Sequence, residues 1–245
     1  FANQNMGDFH ASPLSYFPGQ LGDRLDLIHD LHRHDSYDSI IVGGGGLLEP
    51  GLAKHLEVLA QSHKKFKALW GVGANTHGES SARFPSWMTN FDVVGLRDWG
   101  NPFNYVPCVS CLHPGFDVTY PEPVNNFVVF EHFQHPIMAN INGPTMSNDL
   151  TRSDIFGALA RIASGKVVVT NTYHGAYWSQ LLGRKVILFN PFSLRFFGFK
   201  YQPPHCEDGD WEPQIEKAFV VDGFLEECRE LNRAFHAKVT EGLAA

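Results

Sequence analysis

The feature that most constrains this chain is an alternation. Six short apolar runs, at residues 39–42, 68–72, 91–96, 127–130, 166–170 and 185–189, each end at glycine or a polar residue, and helical patterns stand between them. Strands of parallel sheets read as near-continuous apolar runs, because helices cover both faces of such sheets. The pattern therefore predicts an α/β protein built on parallel sheets. Residues 50–62 space Leu52, Leu56 and Leu59 on one helical face and open with Pro50 near the first turn. Residues 149–164 carry a capping segment ending at Asp154, then Ile155, Leu159 and Ile162 on one face. A short helix over 174–182 stops at Gly183, and a long one over 224–243 closes the chain.

Between the third and fourth runs lies Tyr120-Pro-Glu-Pro-Val124. A proline pushes the residue before it out of the helical region, so this segment reads as an extended linker. It divides the chain into two halves, 1–122 and 123–245, each with three runs. A length of 245 residues is enough for two compact units. With 43% hydrophobic and 18% charged residues the composition is globular rather than disordered. Twenty phenylalanines point to an aromatic core or apolar ligand walls.

A net charge of −7 argues against a nucleic-acid surface while leaving room for a local basic pocket. No apolar run approaches the length of a membrane span, and no basic-then-apolar signal segment opens the chain. Four cysteines, Cys108, Cys111, Cys206 and Cys228, are too few for a disulfide framework. The expectation is a cytoplasmic protein. The first residue is Phe1 and not Met, which reads as a start that was trimmed or left out. Cys108, Cys111 and His113 have the spacing of half a zinc site, but structural zinc needs four ligands and no second such pair exists. The expectation is reduced thiols in a loop, with no metal and no cofactor.

In open parallel sheets, ligands bind beyond the carboxyl ends of the strands. That rule selects the glycine run with Gly44, Gly45 and Gly46, whose amides could cradle an anion next to a helix N-terminus. It also selects Asn75 after the second run and Arg97-Asp98 after the third, read as an anion clamp or as a surface pair. After the fifth run come Asn171, Thr172, Tyr173, His174 and Gly175. His174 is the strongest single candidate, because an imidazole at a strand end can donate a proton or contact phosphate near neutral pH. Lys200, after the last run, either reaches toward a ligand or is a surface lysine. His29, His32 and His34 read as a solvated face.

Taken in order, these segments resemble the polysaccharide pyruvyltransferase family. The matching pieces are Asn5-Met-Gly-Asp8, Ile40-Ile-Val-Gly-Gly-Gly-Gly-Leu-Leu48, Trp70-Gly-Val-Gly-Ala74, Val94-Gly-Leu-Arg-Asp98, and Val168-Val-Thr-Asn-Thr-Tyr-His-Gly175 with the following Leu181–Ile187 stretch. The resemblance implies two Rossmann-like halves facing a cleft, as in GT-B glycosyltransferases. It implies transfer of an enolpyruvyl unit from phosphoenolpyruvate onto two sugar hydroxyls. It adds Asn5 and Gly7 to the binding residues and places Asp8 beside His174 and Arg97 in the catalytic set.

The chain departs from the family where Thr172 stands in place of an arginine two residues before the histidine, and arginine and threonine are not interchangeable for anions. Two other functions stay open. One is a glycosyltransferase taking a nucleotide-activated sugar, with Tyr173 or Tyr177 stacked on a base. The other is a non-catalytic sugar- or nucleotide-binding domain.

Overall fold

In a computed structural model, the chain is described over residues 4–17, 22–78, 81–207 and 210–245. It contains two parallel sheets. The first follows chain order: β1 (Ser39–Leu48), β2 (Phe66–Ala74), β3 (Val93–Leu96) and β4 (Asn104–Tyr105). Every residue of β2 is buried, which is why its sequence carries no alternation. Helix α2 (Pro50–Gln61) crosses from β1 to β2 and buries Leu56, Leu59 and Ala60.

The second sheet contains β5 (Asn125–Glu131), β6 (Thr145–Ser147), β7 (Gly165–Thr170), β8 (Lys185–Phe189) and β9 (His205–Cys206), in the spatial order β6-β5-β7-β8-β9. All its pairings are parallel. From β5 the chain steps outward to β6, then returns through α3 (Ile155–Ala163) to β7 on the opposite flank. The sheet therefore has a switch point between the carboxyl ends of β5 and β7, where open α/β sheets bind ligands. Helix α4 (Tyr173–Leu181) leaves β7 there and is buried along its whole length. Gly183, at φ 64°, supplies the left-handed residue that ends it.

The chain ends exchange sides. Helix α1 (Met6–Phe9) places Met6 in the apolar cluster around α3 and α4, and the Met6 amide donates to the Asn148 carbonyl at 2.9 Å. Helix α5 (Phe224–Ala244) packs Phe235 and Val239 against Phe66, Ala68 and Trp70 of the first sheet. Asn232 ties that packing together. Its Oδ1 accepts from Trp70 Nε1 at 2.9 Å, and its amide donates to the carbonyls of Pro107 and Cys228 at 3.1 and 3.0 Å. Among the described residues no helix is long and apolar enough to cross a membrane.

Two sequence expectations are revised. The first run does not stop at Val42; β1 continues through all four glycines to Leu48. The helix expected over 149–164 begins only at Ile155, because Asp154 is its cap and accepts from the Gly157 amide at 2.8 Å, while Asp149 holds Thr151 in a separate turn. Strands β4, β6 and β9, of two or three residues, are too short to leave a pattern in the sequence.

Candidate functional site

At the switch point lies a small pocket lined by Asn5, Asp8, Arg97, His132, Asn148, Thr172, Tyr173, His174 and Arg195. Its free volume is about 10 Å³, room for roughly one water molecule. Both halves of the chain contribute. Asp8 follows from α1, Arg97 from the end of β3, His132 from the end of β5, and Thr172 to His174 from the turn into α4. Arg195 belongs to the helical turn Leu194–Phe196 after β8.

Arg97 is buried and its guanidinium lies 3.8 Å from the Tyr173 ring centroid, an attraction of cation and π face across the two halves. Gly73 is glycine for this reason: a Cβ there would collide with the Arg97 side chain. Arg195 lies over Phe192 and Phe196 at 5.0 Å from each ring. The Nε atoms of both arginines are buried without a hydrogen-bond partner. A buried guanidinium N–H left unmade is costly, so this pocket carries unmet donor capacity. Burial first, and Arg97 opposing the attraction of Asp8, push Arg195 down to about 10. It keeps its charge at neutral pH.

The other groups are donors as well. His132 Nδ1 accepts from the Gln134 amide at 3.2 Å, which leaves Nε2 to carry the proton of the neutral ring. Burial, then Arg195 and His135, push His132 down to about 4. His174 is buried, and burial with Arg97, Arg195 and His10 holds it well below the ordinary imidazole range. The first-turn amides of α4 have no intrahelical acceptor, and the helix dipole adds positive potential at that end. Asp8 is the one carboxylate lining the pocket among the described residues.

The sequence-predicted residues divide into three groups. Asn5, Asp8, Arg97, Thr172, Tyr173 and His174 line the pocket. Gly7, Asn171 and Gly175 stand behind it. A Cβ at Gly7 would meet the His174 ring, and one at Gly175 would meet the hydroxyls of Thr170 and Thr172. Asn171 accepts from the His132 amide at 2.8 Å and donates to the His135 carbonyl at 2.6 Å, which fixes the loop after β5. Thr172 itself caps α4, accepting from the Gly175 amide at 2.8 Å.

Gly44, Gly45, Gly46, Asn75 and Lys200 lie outside the pocket lining. The glycine run is crossed by the N-terminal segment. A Cβ on Gly43 would strike Pro13, one on Gly44 the Ala11 carbonyl, and one on Gly46 the Asn75 side chain. Gly45 has φ 100°, open only to glycine at ordinary strain. These glycines permit close approach of protein backbone. Lys200 pairs with Glu227 at 2.7 Å and sits over Trp99. Asp98 is buried and accepts from the Ala74 amide at 2.9 Å; burial raises it, against the pull of Arg97. Cys108 lies against His174, Cys111 lies near Asn232, and among the described residues no three His, Cys, Asp or Glu side chains are grouped to hold a metal ion.

Arg195, His132 and Asn148 were not among the sequence candidates. The strand-end rule points to the first two, since His132 follows β5 at once and Arg195 lies shortly after β8. Asn148 has no such signal: it follows a three-residue strand. Comparison with family models, with curated proteins and with solved structures finds no match.

Proposed function

We propose that this pocket binds a phosphorylated donor and that the chain is a transferase acting on a sugar, with pyruvyl transfer from phosphoenolpyruvate as the reaction. The observation that carries the reading is the convergence of a buried Arg97 and a partly buried Arg195, each with a buried, unpartnered Nε, on the pocket at the N-terminus of α4. Charge-assisted donors of this kind match phosphate and carboxylate oxygens. The arginine absent at Thr172 is thereby balanced by Arg195, which reaches the same pocket from the end of another strand.

In the proposed reaction, a sugar hydroxyl adds to C2 of the enolpyruvyl unit while C3 takes a proton and becomes a methyl. The second hydroxyl then replaces phosphate at C2, giving a cyclic ketal and inorganic phosphate. Of the two hydroxyl protons, one balances the methyl and the other leaves with phosphate. In this reading Asp8, the carboxylate of the pocket lining, accepts a hydroxyl proton. His174 is neutral in the free pocket, so its first role is a hydrogen bond to the phosphate. A bound dianion offsets Arg97 and Arg195 and raises the imidazole toward the range of a proton donor. The two halves then act as a cleft of the GT-B kind, opening to admit a donor larger than the present volume and closing over it.

One observation favours the nucleotide-sugar reading as an alternative. Phe192, stacked with His77 at 5.8 Å and tilted to His135 at 5.4 Å, forms an aromatic group beside Arg195 that suits a base. Thermal unfolding with phosphoenolpyruvate and with nucleotide sugars separates the two, since a ligand of the native state raises the melting temperature by mass action. Stabilisation by phosphoenolpyruvate alone supports pyruvyl transfer. Stabilisation by nucleotide sugars alone replaces it with glycosyl transfer, and no response to either favours a domain without this activity.

A further inference from the structure

Four side chains behind the pocket form a hydrogen-bonded row. Trp178 Nε1 is 3.0 Å from Ser110 Oγ, Ser110 Oγ is 3.2 Å from Cys108 Sγ, and Cys108 Sγ is 3.4 Å from His174 Nε2. Trp178, Ser110 and Cys108 are fully buried, and His174 is nearly so. The direction of the row follows from its ends. An indole N–H only donates. Ser110 Oγ accepts it, and the hydroxyl proton of Ser110 then has one acceptor among the described residues, the Cys108 sulfur. With that lone pair taken, the thiol proton is free to point at His174 Nε2. The reverse arrangement, in which Nε2–H donates to sulfur, leaves one buried proton of the Ser110–Cys108 pair without an acceptor.

We infer that the row Trp178–Ser110–Cys108 fixes His174 as the tautomer protonated at Nδ1, turning that N–H toward the pocket as a donor. His174 lines the pocket together with Asn5 and Asp8, and its Nδ1 edge packs against Gly7 in the turn that carries those two residues. Burial keeps the Cys108 thiol protonated, as the row requires. Cys108 is thus a positioning residue, reaching the ligand only through His174. Second partners of this kind commonly set which histidine nitrogen is presented. The inference rests on the phosphate reading only for the use made of the N–H; the tautomer itself belongs to the free protein.

The test is a long-range proton–nitrogen NMR spectrum of the whole chain, ¹⁵N-labelled in histidine, with His174→Gln used to assign the resonances. The expected result is a protonated Nδ1 and an unprotonated Nε2 on His174 without ligand. Cys108→Ala then releases the ring to a mixture of tautomers and weakens inorganic phosphate binding roughly tenfold, the loss of one hydrogen bond to a charged group. A proton on Nε2 in the parent protein overturns the inference, as does a Cys108→Ala variant that keeps both tautomer and affinity. The parent spectrum decides the tautomer even if that variant fails to fold. A protonated Nδ1 with no response to phosphate or phosphoenolpyruvate leaves the row standing and removes the phosphate reading.

Discussion

Replacing Arg195 with methionine separates binding from stability with opposite signs. In the folded protein burial, and after it Arg97, depress this guanidinium from its ordinary value to about 10. At neutral pH that depression corresponds to about 3 kcal/mol of electrostatic cost for keeping the charge. Methionine removes the cost and keeps an apolar stem on Phe192 and Phe196, while two cation–π contacts worth about 0.5–1 kcal/mol each are lost. The balance is a fold more stable by about 1–2 kcal/mol. In binding, a charge-assisted contact of roughly 1.5–3 kcal/mol disappears, which weakens phosphoenolpyruvate by roughly 10- to 150-fold. Urea unfolding reads the first quantity and isothermal calorimetry the second. A variant that is less stable and binds phosphoenolpyruvate as tightly as the parent refutes the reasoning, because Arg195 would then be a structural cation.

Gly7→Ala forces a methyl onto the His174 ring, so we expect a destabilisation of about 1–3 kcal/mol in thermal unfolding together with loss of phosphate binding. Asn232→Leu leaves the Trp70 Nε1 donor and the Pro107 carbonyl unpaired in the core, and should lower stability by about 2–4 kcal/mol in urea titration; an unchanged midpoint contradicts the anchoring role of α5. His10 and His132 are both lowered by burial to about 4, so between pH 6.5 and 4 the unfolded chain binds protons that the folded chain refuses. Their contribution is therefore complete above pH 6.5 and lost as pH falls toward 4, and denaturation midpoints should fall over that window. Midpoints that rise on acidification contradict the assignment.

The sequence carried the parallel sheets because six of the strands are long enough to leave near-continuous apolar runs. It carried the pocket lining in part, because the segment that follows a strand is placed by that strand's carboxyl end. Arg97 and His174 were legible for this reason, and His132 and Arg195 obey the same rule. What it could not carry was pairing between distant segments. The glycines of β1 look like an anion cradle from their own residues alone, and only the crossing of Ala11 and Pro13 explains them. Lys200 looked free because its partner, Glu227, lies on the last helix. Cys108 and Cys111 resemble half a metal site until the fold sets one beside His174 and the other beside Asn232.

We propose that the pocket between Arg97, Arg195 and the start of α4 serves transfer from phosphoenolpyruvate to a sugar. The most direct measurement is phosphorus NMR of phosphoenolpyruvate incubated with the protein and a panel of sugars and oligosaccharides. The phosphoenolpyruvate signal should fall as inorganic phosphate appears, with one new ketal methyl in the proton spectrum for each phosphate released. Intact phosphoenolpyruvate across the panel, with a nucleotide sugar consumed in its place under the same conditions, contradicts this proposal.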